Sequence, residues 1–158
     1  MSTTTIAIHK NDICEHIYMV SACTARAREA IGLPNDIIER MIVTKDEMRK
    51  ISNLIDQSAN DLISIITHYY PNSTMQRKDD ILGGYNIFNI ETPPEYPSGN
   101  KETLRHYFES YITNRTLQKW YTDIKPDEAN ITATKVQNDT NNITNLLTQR
   151  TKPTITNN

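Results

Sequence analysis

Glycine is scarce in this chain, four residues in 158, and that scarcity removes whole classes of chemistry. Phosphate-cradling and dinucleotide-binding loops need clustered glycines so that backbone amides can approach the ligand. Neither a G-x-x-x-x-G-K-S/T nor a G-x-G-x-x-G stretch occurs, and a G-x-S-x-G elbow and an H-E-x-x-H helix are equally absent. Cysteine is scarcer still. Cys14 and Cys23 lie nine positions apart in one expected helix, on opposite faces and ~13 Å apart along its axis, too far to bridge. No set of four ligands at zinc-site spacing accompanies them. Apolar runs fall far short of the ~20 residues that span a bilayer, and the polar start Met1-Ser-Thr-Thr-Thr predicts no secretory leader, so no membrane partner is expected. Five Asn-x-Ser/Thr tripeptides, at Asn72, Asn114, Asn130, Asn138 and Asn142, then follow simply from a chain rich in Asn and Thr.

Charge of one sign is lacking too. Seventeen Lys and Arg against nineteen Asp and Glu give a net charge of -2, with a pI near 6.1. The basic residues are dispersed rather than striped, so no sequence-specific nucleic acid is expected as a partner. Apolar content is 37% with a mean hydropathy of -0.61, low beside the ~45–50% of a typical globule. The length suits one domain, placed at residues 1–152 with a flexible tail at 153–158. The thin apolar content implies that some of the chain is extended, solvated or ordered by a partner.

What is present is mostly helical periodicity. Thr5 to His9 alternates like a short edge strand. From an N-cap at Asp12, Ile13, Ile17, Val20, Thr24 and Ala27 recur at helical spacing until Gly32 and Pro34 stop them. A short turn of helix follows at Asn35 to Ile42, and Thr44-Lys45-Asp46-Glu47 forms a capping box. The helix it opens carries Met48, Ile51, Ile55, Ser58, Leu62, Ile65 and Tyr69 on one seam, ending at Pro71. Residues 72–100 change character. Tyr85 to Ile90 reads as a strand or an apolar loop tip, and Pro93, Pro94, Pro97 and Gly99 exclude regular structure after it. Ser98 or Asn100 caps an aromatic helix running through Leu104, Phe108, Tyr111, Ile112 and Leu117 to Trp120, Tyr121 and Ile124. Pro126 then opens a last helix to about 150, its first turn carrying Asp127 and Glu128. That helix bears Ala129, Ala133, Val136, Ile143, Leu146 and Leu147 among many Asn and Thr. The fold class predicted is mainly α: a bundle of about four helices, a short N-terminal strand, and a long β-like, Pro-rich loop between the central helices.

His9, His16, His68 and His106 are scattered over different elements, and Asp79-Asp80 beside Arg77-Lys78 reads as a solvated charge cluster. No catalytic, cofactor-binding or metal-binding residue is assigned, and no cofactor is expected. A long connection in a helical domain usually carries function, so Tyr85, Ile87, Phe88 and Ile90 are expected to form a protein interface. A helical binding or regulatory protein of the cytoplasm, acting as monomer or dimer, accounts for the same features. So, with less support, does an enzyme holding a metal at Asp79, Asp80 and a histidine.

The stretch LRHYFESYITNRTLQKWYTDIKPDEANI, followed by NITNLLTQRTKP, resembles the head-to-tail connector proteins of tailed bacteriophages, and most of all the neck ring proteins of crAss-like phages that infect Bacteroides. The resemblance rests on the aromatic helix ending in Trp120-Tyr121, the acidic helix start at Asp127-Glu128, and the closing Arg150-Thr151-Lys152-Pro153. The opening IAIHKNDICEHIYMVSACTARARE is also similar. It implies a non-enzymatic virion protein, made in the host cytoplasm and placed in the head-tail neck. There it forms a homo-oligomeric, twelvefold adaptor ring against the portal protein and neighbouring neck or tail rings, with a bore that DNA can traverse. In such a ring the aromatic corner holds the bundle and the loop from Asp79 to Gly99 grips a neighbour. The long Pro-rich loop departs from a plain adaptor.

Overall fold

A computed structural model describes residues 1–79 and 83–150. Asp80, Ile81, Leu82 and the expected tail at 153–158 lie outside them. Five α-helices and a three-stranded antiparallel sheet make up the described residues: β1 (Ser2–His9), α1 (Lys10–Glu29), α2 (Asn35–Met41), α3 (Met48–Tyr69), β2 (Thr74–Lys78), β3 (Tyr85–Thr92), α4 (Lys101–Tyr121) and α5 (Pro126–Thr148). Single 3₁₀ turns at Lys45–Glu47 and Ser98–Asn100 lead into α3 and α4.

Start signals in the sequence translate unevenly. The capping box forms: the backbone N–H of Thr44 donates to Glu47 Oε2 at 2.8 Å, and the Thr44 hydroxyl meets the same oxygen. Pro126 opens α5 at its first turn. Asp12 is not the cap of α1, which begins two residues earlier at Lys10, directly off β1. Gly32, at φ 93°, closes α1 in the left-handed region where a Cβ is strained.

The long loop expected between the central helices is instead the hairpin β2–β3. Its turn ends at Gly84 (φ 91°), where a Cβ would sit 2.8 Å from the Lys78 carbonyl oxygen, so only glycine fits. Strand order is β1-β3-β2, and β3 is central. Along β3 burial alternates strictly, Asn86, Phe88, Ile90 and Thr92 facing the helices and Tyr85, Ile87, Asn89 and Glu91 facing outward. The four residues of the expected grip, Tyr85, Ile87, Phe88 and Ile90, are therefore divided between two faces, and burial of Phe88 and Ile90 takes those two out of it. Phe88 and Ile90 are fully buried, Phe88 edge-on to Phe108 of α4 at 5.2 Å between ring centroids. Tyr85 and Ile87 are half-buried on the outer face, Tyr85 against His9 at 4.6 Å. The signal misread was period-two alternation, which puts every second side chain inside once a partner strand arrives from 80 residues upstream.

α4 is the centre of the helical layer. It runs antiparallel to α5, as Asn100 Nδ2 to Gln149 Oε1 (2.7 Å) and Asn114 Nδ2 to Asp139 Oδ2 (2.8 Å) show. It is antiparallel to α3 too, through Ser58 Oγ to Thr116 Oγ1 at 3.0 Å and Arg115 Nε to Asp61 Oδ2 at 2.9 Å. The seam of α3 drifts from the sequence reading at both ends. Ile51, Ile55, Ser58 and Leu62 are buried as expected, but Ile66 takes the place of Ile65 and Tyr69, and Met48 stays exposed. Across the sheet, Lys10 Nζ donates to Asp56 Oδ2 at 3.2 Å and Arg77 Nη2 to the Asp56 carbonyl oxygen at 3.2 Å, fastening both edges of the sheet to α3.

Asn86 is fully buried between Ile8 and Arg77 in register, yet its Oδ1 and Nδ2 have no hydrogen-bond partner. Such an amide costs about 1–3 kcal/mol. Asn86→Leu is expected to raise the urea midpoint, whereas Phe88→Ala, which empties the sheet–helix contact, is expected to cost about 3–5 kcal/mol. Equilibrium unfolding of the two variants checks both signs.

Candidate functional site

Four of the residues that carry the family resemblance, Trp120, Tyr121, Asp127 and Glu128, lie at one corner of the molecule. Trp120 and Tyr121 end α4, a tight turn follows in which Lys125 N–H returns to the Tyr121 carbonyl at 2.8 Å, and α5 begins. The indole is buried, and its Nε1–H donates to the Met41 carbonyl at 3.0 Å, which ties the C-terminus of α2 to α4. Lys50 Nζ of α3 lies 4.9 Å from the indole ring centroid. Tyr121 is buried beside Thr24 without a closed hydrogen bond, and burial pushes its phenol up to about 12.

Asp127 and Glu128, adjacent in sequence, part company. Asp127 is exposed, with Lys125 Nζ at 3.3 Å. Glu128 is 4% exposed and takes a two-pronged contact from Arg28 of α1, Nε at 2.8 Å and Nη2 at 3.3 Å. The hydrogen bond from this carboxylate, with its charge, raises the Arg28 guanidinium above its ordinary value. Sitting in the first turn of α5, the carboxylate also meets the positive end of that helix. The ion pair thus clamps the end of α1 to the start of α5 across 100 residues of sequence.

Outside the clamp lies an open groove of about 320 Å³, lined by Ile31, Leu33, Pro34 and Ile131 together with the charged Arg28, Lys125, Asp127 and Glu128. Ile31 is 76% exposed and Ile131 46%. Both side chains line this one groove. Sequence reading missed this place: Ile31 stood at a helix stop, and Ile131 is 100 residues away on a helix that reads as polar.

A second cleft, of about 260 Å³, opens between α1 and α4, lined by Asp12, His16, His106, Glu109, Ser110 and Asn114. It brings together two histidines that the sequence places on separate elements. Behind it Asp139 of α5 is buried, both oxygens 3.0 Å from the Ser110 hydroxyl and Oδ2 accepting from Asn114. Ser110 thus donates to a buried carboxylate. Among the described residues no three His, Cys, Asp or Glu side chains converge to hold a metal, and Asp80 lies outside those residues. Both cysteines are free, Cys14 buried and Cys23 exposed. No helix among the described residues is long and apolar enough to cross a membrane. Of the closing motif, Arg150 is described. Its Nη1 donates to the Tyr70 hydroxyl at 3.1 Å and the Leu147 carbonyl at 3.2 Å, and Tyr70 itself donates to Leu147. Thr151, Lys152 and Pro153 lie outside the described residues.

Removing Arg28 strands a buried carboxylate. Arg28→Leu is expected to cost about 3 kcal/mol, the low end for a broken buried pair because Arg28 is partly exposed, and Arg28→Leu/Glu128→Leu to recover most of it. Denaturant melts of the three chains check this. At Asp61, burial alone would raise the carboxyl, but hydrogen bonds from Arg115 and Lys119 hold it below its ordinary 3.8. Its contribution to stability is therefore whole above that value, and is lost as pH falls through the lower folded one. A plot of the urea midpoint against pH is expected to fall less steeply below about 4 in Asp61→Asn than in the unaltered chain.

Family models, curated protein sequences and solved structures were each compared with this chain, and none matches.

Proposed function

We propose that this chain is a structural subunit of a head-to-tail connector ring, an adaptor that joins a phage portal to the tail. The observation that carries the reading is the corner itself. Of the residues on which the resemblance rests, Trp120 ties α2 to α4 and Glu128 ties α1 to α5, and beside that clamp is the groove that exposes Ile31 and Ile131. A rigid corner with such a groove beside it suits a subunit that must present a fixed surface to a neighbour. The low apolar content fits the same picture, since a subunit flanked by neighbours on two sides needs less core of its own. The ring is twelvefold, homo-oligomeric and part of the virion neck, the portal protein lies on one side and further neck or tail rings on the other, and DNA passes through its bore. The chain does no chemistry in this role.

In this reading the groove at Ile31 and Ile131 replaces the β3 side chains as the heterologous contact. A contact of ~1,000 Å² or more is needed at each joint, with its anchors near the centre. Immobilised portal protein of the same genome is expected to capture the unaltered chain. Ile31→Asp/Ile131→Asp, which leaves the buried core intact, is expected to weaken capture and ring formation at least about tenfold. Capture equal to that of the unaltered chain would remove the groove from the interface, and no capture of the unaltered chain would remove the connector role.

A further inference from the structure

We infer that the free edge of β1 pairs antiparallel with β1 of a second copy, joining two three-stranded sheets into one of six strands. This interface lies beyond the connector reading and does not depend on it.

The sheet order leaves two edges, and they are guarded unequally. β2 is five residues long and carries Arg77 and Lys78, with the Arg77 guanidinium drawn onto Asn60 at 2.9 Å. Short length and basic side chains are the usual means of blunting an edge. β1 has neither. It is eight residues, STTTIAIH, without proline and without a charge from Ser2 to Ile8. Its register with β3 is continuous from Ser2↔Thr92 to His9↔Tyr85, with no bulge to twist the edge away. Among the described residues, β3 is the one strand bonded to its backbone, so the outward N–H and C=O groups of the exposed Thr3, Thr5 and Ala7 have no strand partner. A long, flat, β-branched edge of this kind is a template for another strand.

The occupant with the right chemistry is β1 itself. Side chains alternate between faces with period two, so only registers that pair even positions with even positions keep both buried faces on one side. With Thr5 opposite Thr5, Thr3 stands opposite Ala7 on the outer face, and Thr4 opposite Ile6 on the core face. No charge meets a charge, and β-branched residues face each other, as favoured across strands. β2 of a second copy is a poorer occupant because Arg77 and Lys78 stand in its short edge.

Sedimentation equilibrium of the full chain over a range of concentrations is expected to show a reversible dimer. Thr3 and Ala7 are exposed on the outer face, so Thr3→Lys/Ala7→Lys spares the core while setting lysines opposite lysines. It is expected to weaken the dimer about tenfold with a single cooperative melt retained. Thr3→Glu/Ala7→Glu is expected to do the same, and an equimolar mixture of the two variants to recover a heterodimer. A monomer at every concentration, a dimer indifferent to the lysine pair, or no heterodimer from the mixture overturns the inference. Should the lysine pair not fold, deuterium exchange over residues 2–9 of the unaltered chain decides: slowing as concentration rises supports the pairing, and no change overturns it. Portal capture reads the connector role separately, so either proposal can fail alone.

Discussion

Over its second half α4 is covered on most sides, with Asn114, Arg115, Gln118 and Lys119 only partly exposed, and much of the molecule is arranged around it. From Tyr111 to Tyr121 no residue is fully exposed. α5, α3, α1 and β1 all pack against the helix. A helix enclosed this way is normally apolar all round, yet this one carries Thr113, Asn114, Arg115, Thr116, Gln118 and Lys119. Polar groups withdrawn from water cost more than a hydrogen bond returns unless each finds a partner. Here the partners come from different elements: Ser58 for Thr116, Asp139 for Asn114, Asp61 for Arg115 and Lys119, and the Met41 carbonyl for Trp120. Each pairing fixes a neighbour's register as well as stabilising α4. A chain with 37% apolar residues thus gains through directed polar contacts some of the uniqueness that a richer core obtains from shape alone.

The legible parts of the fold were those set by neighbours in sequence. The Thr44–Glu47 box, the Gly32 stop and the Pro126 start are local devices, and each acts where the sequence puts it. What depended on distant partners was read less well. β3 was recognisable as extended, but whether it is a loop tip or a central strand depends on β1 arriving from 80 residues upstream. α5 misled for a related reason. Its buried face includes Glu128, Thr132 and Asp139 beside Ala129, Ile143 and Leu147, and a reading that sorts polar residues outward sends half of that face to the solvent. The spacing 128, 132, 139, 143, 147 is helical throughout, so the signal existed, carried by polar residues whose partners, Arg28, Ser110 and Asn114, lie on other helices. The corner at Trp120 was legible as a corner. That Ile31 and Ile131 line a groove beside it was not, because they belong to segments that look unremarkable separately.

Among the described residues, the groove at Ile31 and Ile131 and the edge of β1 are two features without a partner in the chain. They stand at opposite ends of α1, since β1 runs directly into its first residue and Ile31 follows its last. Twenty residues of helix put the two ends of α1 about 30 Å apart. The ion pair of Arg28 with Glu128 holds the groove end of α1, and Lys10 with Asp56 holds the strand end, so the distance between the two surfaces is set by a helix anchored at each terminus. In the connector role proposed above, a subunit passes geometry from one neighbour to the next, and a helix pinned at both ends is the part of this fold suited to do so.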